Sequence, residues 1–263
     1  MAQVARLYRH PIKGIGAEAL DRTVAEAGRC LPGDRVWAVA HEAAKLTDDG
    51  WSRCMNFVRG AKSPALMAVT ARLEPGGQPP GPPGIFTDSE VQAGGRVTLS
   101  HPDRPEITLD PDREPETLID WVRPLCDPDR AAPARVVRAG RGMTDSEFES
   151  IAILCLASLR VLEGRAGRPL DPRRFRGNIW LDGLAPWQEF EWVGRRLRIG
   201  DVDFEVRARI TRCVATHADP ATGRPDTDIL GLLESGWDHG DFGVYAVALS
   251  SGEIATGEKV DTP

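Results

Sequence analysis

Cys213 ends a strictly alternating run. Val202, Phe204, Val206, Ala208 and Ile210 are apolar, while Asp203, Glu205, Arg207 and Arg209 are polar. That period of two is expected of a strand with one buried face. Continuing the phase puts Thr211 and Cys213 on the face of Arg207 and Arg209, with Arg212 alongside. Cations beside a thiol favour the thiolate, the form that acts as nucleophile or soft-metal ligand. The alternative is a small buried apolar side chain, since free cysteines commonly lie in cores. A second cluster, Arg173-Arg174-Phe175-Arg176-Gly177-Asn178, leads into the strand-like Ile179-Trp180-Leu181. Arginine forks bind phosphate bidentately, and Gly177 would let a ligand approach the backbone. The competing reading is a solvated basic loop.

Lys13, between Pro11 and Gly14, and Arg35, after Gly33-Asp34, are single cations beside turns at strand ends. The stretch Arg141 to Ser150 is a polar loop, with Thr144, Asp145, Ser146 and Ser150, ahead of an apolar strand. Cys155 sits inside Ile151-Ala-Ile-Leu-Cys-Leu and reads as core. Cys30, Cys54 and Cys126 lie in irregular segments and carry no argument. His217, four residues past Cys213, is poorly placed to act as its base in an extended chain. The chain also lacks GxGxxG after a strand, GxxxxGK[ST], HExxH and GxSxG, which demotes the enzymes built on them.

The elements that would position these residues are mostly short strands: Ala2 to Tyr8, Arg35 to Ala40, Ala65 to Leu73, Arg96 to Ser100, Glu106 to Leu109, Ala134 to Arg138 and Ile151 to Leu156. A terminal hairpin is expected, Val244 to Leu249 and Glu253 to Thr256 joined by Ser250-Ser251-Gly252. Helices are expected over Glu114 to Leu125 and from Ser158, as N-cap, to Ala166. Gly76 to Gly84, crowded with Gly and Pro, reads as an exposed loop. Trp180, Trp187 and Trp192 fit core positions better than a partner-facing patch. The fold class is mainly β with a few short helices, an α+β arrangement of barrels or sandwich. The boundary between halves is expected at Asp127 to Pro133, giving domains 1–126 and 127–263.

The chain has 263 residues, enough for a substantial core, and a net charge of -6, which leaves no broad basic field for nucleic acid or anionic lipid. Five cysteines without a CxxC pair argue against a disulfide framework and a zinc knuckle. No segment reads as membrane-spanning and the first residues lack a signal-peptide pattern, so a cytoplasmic location is expected.

The clusters occur in a recognisable order. Arg176-Gly-Asn-Ile-Trp-Leu-Asp182-Gly183 precedes Ala185-Pro-Trp-Gln-Glu-Phe190, then Trp192, Ile199-Gly200-Asp201, Arg212-Cys213, Asp219-Pro-Ala-Thr-Gly223 and Phe242-Gly-Val-Tyr245. This closely resembles the MOSC domain of molybdenum cofactor sulfurases and amidoxime-reducing components. Tyr8-Arg-His-Pro-Ile-Lys13 and Gly33-Asp-Arg-Val-Trp37 look like the N-terminal β-barrel domain that precedes it. The resemblance implies a β-barrel domain packed on a MOSC β-barrel domain. It implies a molybdenum-pyranopterin cofactor (molybdopterin) ligated by Cys213, with Lys13, Arg35, Ser150, Arg176 and Asn178 as cofactor contacts. The run before the ligand, Arg209-Ile-Thr-Arg-Cys213, lacks the second Cys and the Pro often found there, and Gly14 replaces the Ser that often follows the lysine.

Three functions follow as expectations. One is an oxidoreductase that reduces N-hydroxylated or N/S-oxide compounds, a small-molecule substrate, with electrons from a separate reductase. The second is a sulfur carrier, with a Cys213 persulfide delivered by a cysteine desulfurase. The third is a module that stores the cofactor or hands it on.

Overall fold

The computed structural model describes residues 1–47, 51–76, 87–92 and 94–263. The expected Gly/Pro loop at Gly76 to Gly84 lies, apart from Gly76, outside them. The fold is mainly β, with 35% of residues in strands and 22% in helices. The strands are β1 (Gln3–Arg9), β2 (Glu18–Leu20), β3 (Arg22–Ala25), β4 (Trp37–His41), β5 (Thr70–Pro75), β6 (Gly95–His101), β7 (Arg104–Leu109) and β8 (Pro133–Arg138). They continue with β9 (Ile151–Cys155), β10 (Ile179–Asp182), β11 (Arg196–Ile199), β12 (Val202–Thr211), β13 (Asp241–Ala248), β14 (Gly252–Ala255) and β15 (Val260–Asp261). The helices are α1 (Asp88–Gln92), α2 (Pro115–Val122), α3 (Leu156–Ala166) and α4 (Ile229–Trp237).

A curled eight-stranded sheet, in the order β15-β11-β12-β13-β9-β10-β1-β2, dominates the molecule. Its one parallel pair is β9 with β10, and α3 supplies the crossover that such a pair needs. β9 reads as an unbroken apolar run because both its faces are covered. Ile151 and Ile153 enter a core with Leu7, Phe204 and Val244, while Ala152 and Leu154 enter another with Trp180, Leu162 and Phe242. A third core, around Trp37, Leu66, Leu118 and Trp121, joins β4, the β5-β6-β7 sheet and α2. The halves exchange strands: β1 and β2 complete the large sheet, and β8 pairs with β4.

Several elements differ from the sequence reading. The Ala65 to Leu73 segment begins as a 3-10 turn, Pro64–Ala68, and only then becomes β5, because Pro64 presets the φ of a first helical turn. β13 and β14 form no hairpin. Ser250 Oγ caps Asp203 N at 2.9 Å, Ser251 Oγ caps Ala27 N at 3.0 Å, and the chain diverts to pair β14 with β3. Helix α3 starts two residues earlier than expected, and Ser158 is not its cap. The Ser158 hydroxyl donates to the buried Glu189 carboxyl at 2.9 Å and accepts from Trp187 N at 2.8 Å. Trp180 and Trp192 are core and Trp187 is half-buried. Among the described residues no helix is long and apolar enough to cross a membrane.

Candidate functional site

A pocket of about 240 Å³ opens where the two halves meet, and Cys213 lines it with its side chain exposed. β12 delivers this residue. Its last residues, Ile210 and Thr211, line the wall with Arg212 and Cys213, after which the chain turns into the 3-10 helix Val214–His217. The Cys213 carbonyl accepts from Thr216 N at 3.1 Å and Thr216 Oγ1 at 2.9 Å, which fixes the strand end. Arg212 anchors the same end, donating to Phe175 O at 2.7 Å and through Nε to Phe242 O at 2.8 Å.

The expected cation face is corrected here. Arg207 and Arg209 do not line the pocket: Arg207 pairs with Glu205 at 2.9 Å, and Arg209 lies 4.3 Å over the Phe190 ring. The alternation itself carries through, since Arg207, Arg209, Thr211 and Cys213 are all exposed while Ile210 is buried, but the two arginines stand further back along the strand and are engaged there. The β12-β13 pairing shifts register between Val206 and Ala208 and between Arg209 and Thr211.

The facing cations come from elsewhere. Lys13 is buried, its Nζ donating to Met143 O at 2.7 Å and to Asp145 Oδ1 at 2.6 Å. Arg35 donates to the Asp34 carboxylate beside it and, through Nη2, to Arg176 O at 2.9 Å. Arg176 reaches Gly16 O at 2.8 Å and Ile12 O at 3.2 Å, so its guanidinium ties the two halves across the pocket. All three side chains line the pocket with Cys213. The other arginines of the cluster are committed: Arg173 to Asp171 at 2.6 Å, and Arg174, also at the pocket wall, to Asp226 at 2.7 Å.

Two expected contacts lie elsewhere. The Asn178 amide is buried, accepting from Ala152 N at 3.0 Å and donating to Tyr8 O at 3.3 Å. It stitches β9 to β1 and does not line the pocket. Ser150 is also buried, its hydroxyl accepting from Ser146 Oγ at 2.7 Å. Only Asp145 of that polar loop reaches the pocket. Nor does Gly177 leave room for a ligand: a Cβ there would stand 2.3 Å from Leu154 Cδ1. Gly14 does reach the pocket, and its φ of 73° with Val58 O at 3.0 Å from a would-be Cβ explains why no serine stands there.

Sequence reasoning missed Cys54 and Arg59, which line the same pocket from an irregular segment, and only the fold brings them to Cys213. His217 is not in the pocket wall; its Nε2 accepts from Leu230 N at 3.3 Å.

The electrostatics are those of a site short of negative charge. Burial, and then the facing Arg35, push the Arg176 guanidinium down to about 9. Burial likewise pushes Arg212 down to about 10 and lowers Lys13, which Asp145 partly offsets. Enclosure works to raise Asp145, but Lys13, Arg35 and Arg176 outweigh it and hold the carboxylate below its ordinary range. Among the described residues Asp145 is the one carboxylate in the wall, against Lys13, Arg35, Arg59, Arg174, Arg176 and Arg212, of which Arg35 and Arg174 have carboxylate partners behind it in Asp34 and Asp226. An oxyanion would balance such a pocket, and arginine forks are well shaped for one. Among the described residues no group of three His, Cys, Asp or Glu could hold a metal, and the thiols that open on the pocket are those of Cys213 and Cys54.

The curled sheet and this thiol-plus-cation pocket define a class, and the chain belongs to the MOSC family. Residues 1–120 match the MOSC N-terminal beta barrel domain and residues 143–261 the MOSC domain. The chain is similar to mitochondrial amidoxime-reducing component 1 of Mus musculus, 35% identical over 81 residues, 31% of this chain and 23% of that protein. It is also similar to the molybdenum cofactor sulfurase of Caenorhabditis elegans, 42% identical over 60 residues, 23% of this chain and 8% of that protein. The matched segments thus span under a quarter of either relative. Among solved structures, the YUAD protein from Bacillus subtilis aligns over 98% of this chain and 93% of its own, at 12% identity and a TM-score of 0.48.

Proposed function

We propose that the chain binds a molybdenum-pyranopterin cofactor in this pocket and acts as a molybdenum-dependent reductase in the cytoplasm. The observation that carries the reading is the exposed Cys213 side chain in one wall with Lys13, Arg35 and Arg176. The residues fit the group: a thiol suits molybdenum, and the guanidiniums of Arg176 and Arg212, bonded among the described residues to backbone carbonyls alone, suit the pterin's phosphate. Cys213 would ligate the metal. Arg35, Arg176 and Arg212 would hold the phosphate, and Asp145 would keep Lys13 aimed through their 2.6 Å bond. When bound, the cofactor supplies a redox centre able to take an oxygen atom from an N-hydroxylated or N/S-oxide substrate, with two electrons from a separate reductase and two protons yielding water. The name of the Caenorhabditis elegans relative supports the molybdenum connection, and that of the Mus musculus relative supports the reduction of an N-hydroxylated substrate.

The test is elemental and pterin analysis of protein expressed with ample cofactor. Wild type should carry near-stoichiometric molybdenum, and Cys213→Ser should lose both the metal and N-hydroxy reduction. Metal-free wild type would refute the reading.

Cys54 favours a second reading, because a second thiol opens on the same pocket. In it Cys213 accepts the sulfane sulfur of a desulfurase persulfide, the desulfurase thiolate leaving, and Cys54 is the neighbouring thiol that can attack it. Mass spectrometry after incubation with a cysteine desulfurase and cysteine should then find 32 Da (about one sulfur atom) added at Cys213. An unmodified Cys213 dismisses this reading.

A further inference from the structure

Arg59 also walls a second cavity, of about 250 Å³, which lies against the segment joining the two halves. Among the described residues its charged lining is Arg59, Lys62 and Arg130, with His41 beside them and no Asp or Glu. In a chain of net charge -6 such a wall is not the average surface. The cations are weakly engaged. Arg130 pairs with Asp127 at 3.7 Å, Arg59 donates to the Cys54 carbonyl, and Lys62 has no carboxylate partner among the described residues. His41 Nε2 donates to Met55 O at 2.8 Å, while its enclosed Nδ1 has no partner among the described residues.

We propose that this cavity binds a phosphate-class oxyanion belonging to a small molecule. Cations lining one cavity repel one another, and an oxyanion relieves that repulsion through charge-assisted bonds. The volume suits a phosphate-bearing group rather than a protein segment. The site does not depend on the molybdenum reading, since none of its cations except Arg59 touches that pocket.

Calorimetric titration of the full chain with inorganic phosphate and with phenyl phosphate tests the site. The variant is Lys62→Ala with Arg130→Ala; Lys62 is exposed and the Arg130 side chain is 57% exposed, so the fold should persist. One phosphate-binding event should weaken by about tenfold or more in the variant, and Lys62→Arg with Arg130→Lys should restore it. Any phosphate bound among Lys13, Arg35 and Arg176 should be unaffected, which separates the two sites. Tighter binding of phenyl phosphate assigns the site to the tail of a larger compound, and equal binding assigns it to free phosphate. No phosphate event in wild type, or events identical in wild type and variant, would overturn the proposal.

Discussion

Arg35 and Arg176 hold left-handed backbone, with φ of 54° and 48°, a conformation that costs a non-glycine residue on the order of 1 kcal/mol. Neighbours hold them there: Arg35 N donates to His10 O at 2.6 Å, Arg176 N to Arg173 O at 3.1 Å, and the two residues meet through the Arg176 carbonyl. Asp34 sets the direction of Arg35. Its buried carboxylate accepts from His10 N at 2.8 Å and pairs with Arg35, which with His10 keeps it ionised well below the ordinary range despite burial. Burial and the Arg176 charge hold His10 neutral, down at about 3. Asp34→Asn keeps the shape and removes the charge, leaving a guanidinium without its partner. It should cost about 3 kcal/mol at pH 7, read by urea unfolding. A depressed carboxylate stabilises above its unfolded pKa and loses that contribution on acidification, so wild type and variant should converge as pH falls below about 4. Undiminished stability at pH 7 would show that Asp34 does not hold Arg35. Lys13, Arg35, Arg176 and Cys213, which line one pocket, were brought together by the family resemblance, because a cation beside a turn or a thiol at a strand end is a weak signal on its own. Asn178 and Ser150 lie in equally suggestive context, but unpaired backbone groups and a neighbouring hydroxyl claim their polar atoms. Nothing local marks Cys54.

Among the elements, β12 and β9 were legible for opposite reasons, strict alternation for one covered face and a continuous apolar run for two. The two bulges of β12 were not, because a register shift depends on the partner strand and leaves no mark in the alternation itself. The same holds for β14, whose partner β3 is remote in sequence. The 3-10 segment Gln188–Trp192 carries a testable consequence. Burial raises the Glu189 carboxyl to about 7, with the Ser158 hydroxyl and Arg209 opposing. A carboxyl raised on folding favours the protonated native state, so its contribution is full below about pH 4 and is lost as pH rises through about 7. Glu189→Gln should therefore gain roughly 2–3 kcal/mol over wild type at pH 8 and little at pH 4. Denaturation across that range checks it, and a difference that does not grow with pH would refute the burial argument.

At the scale of the whole molecule the pocket exists only because the halves interlock. β1 and β2 close the large sheet and β8 pairs back to β4. Arg176 bonds the Ile12 and Gly16 carbonyls, and Lys13 bonds Met143 O. The mainly β class and the two-part family were readable from strand patterns and motif order. The strand exchange was not, since it follows from pairings remote in sequence. A cofactor seated here would touch both halves and should stiffen their junction. The most direct measurement is anomalous diffraction at the molybdenum edge from crystals of the cofactor-loaded protein. The account predicts one molybdenum peak within bonding distance of Cys213 Sγ, with the phosphate against Arg35 and Arg176. A peak bonded elsewhere, or a fully loaded protein whose Cys213 sulfur is free, would contradict it.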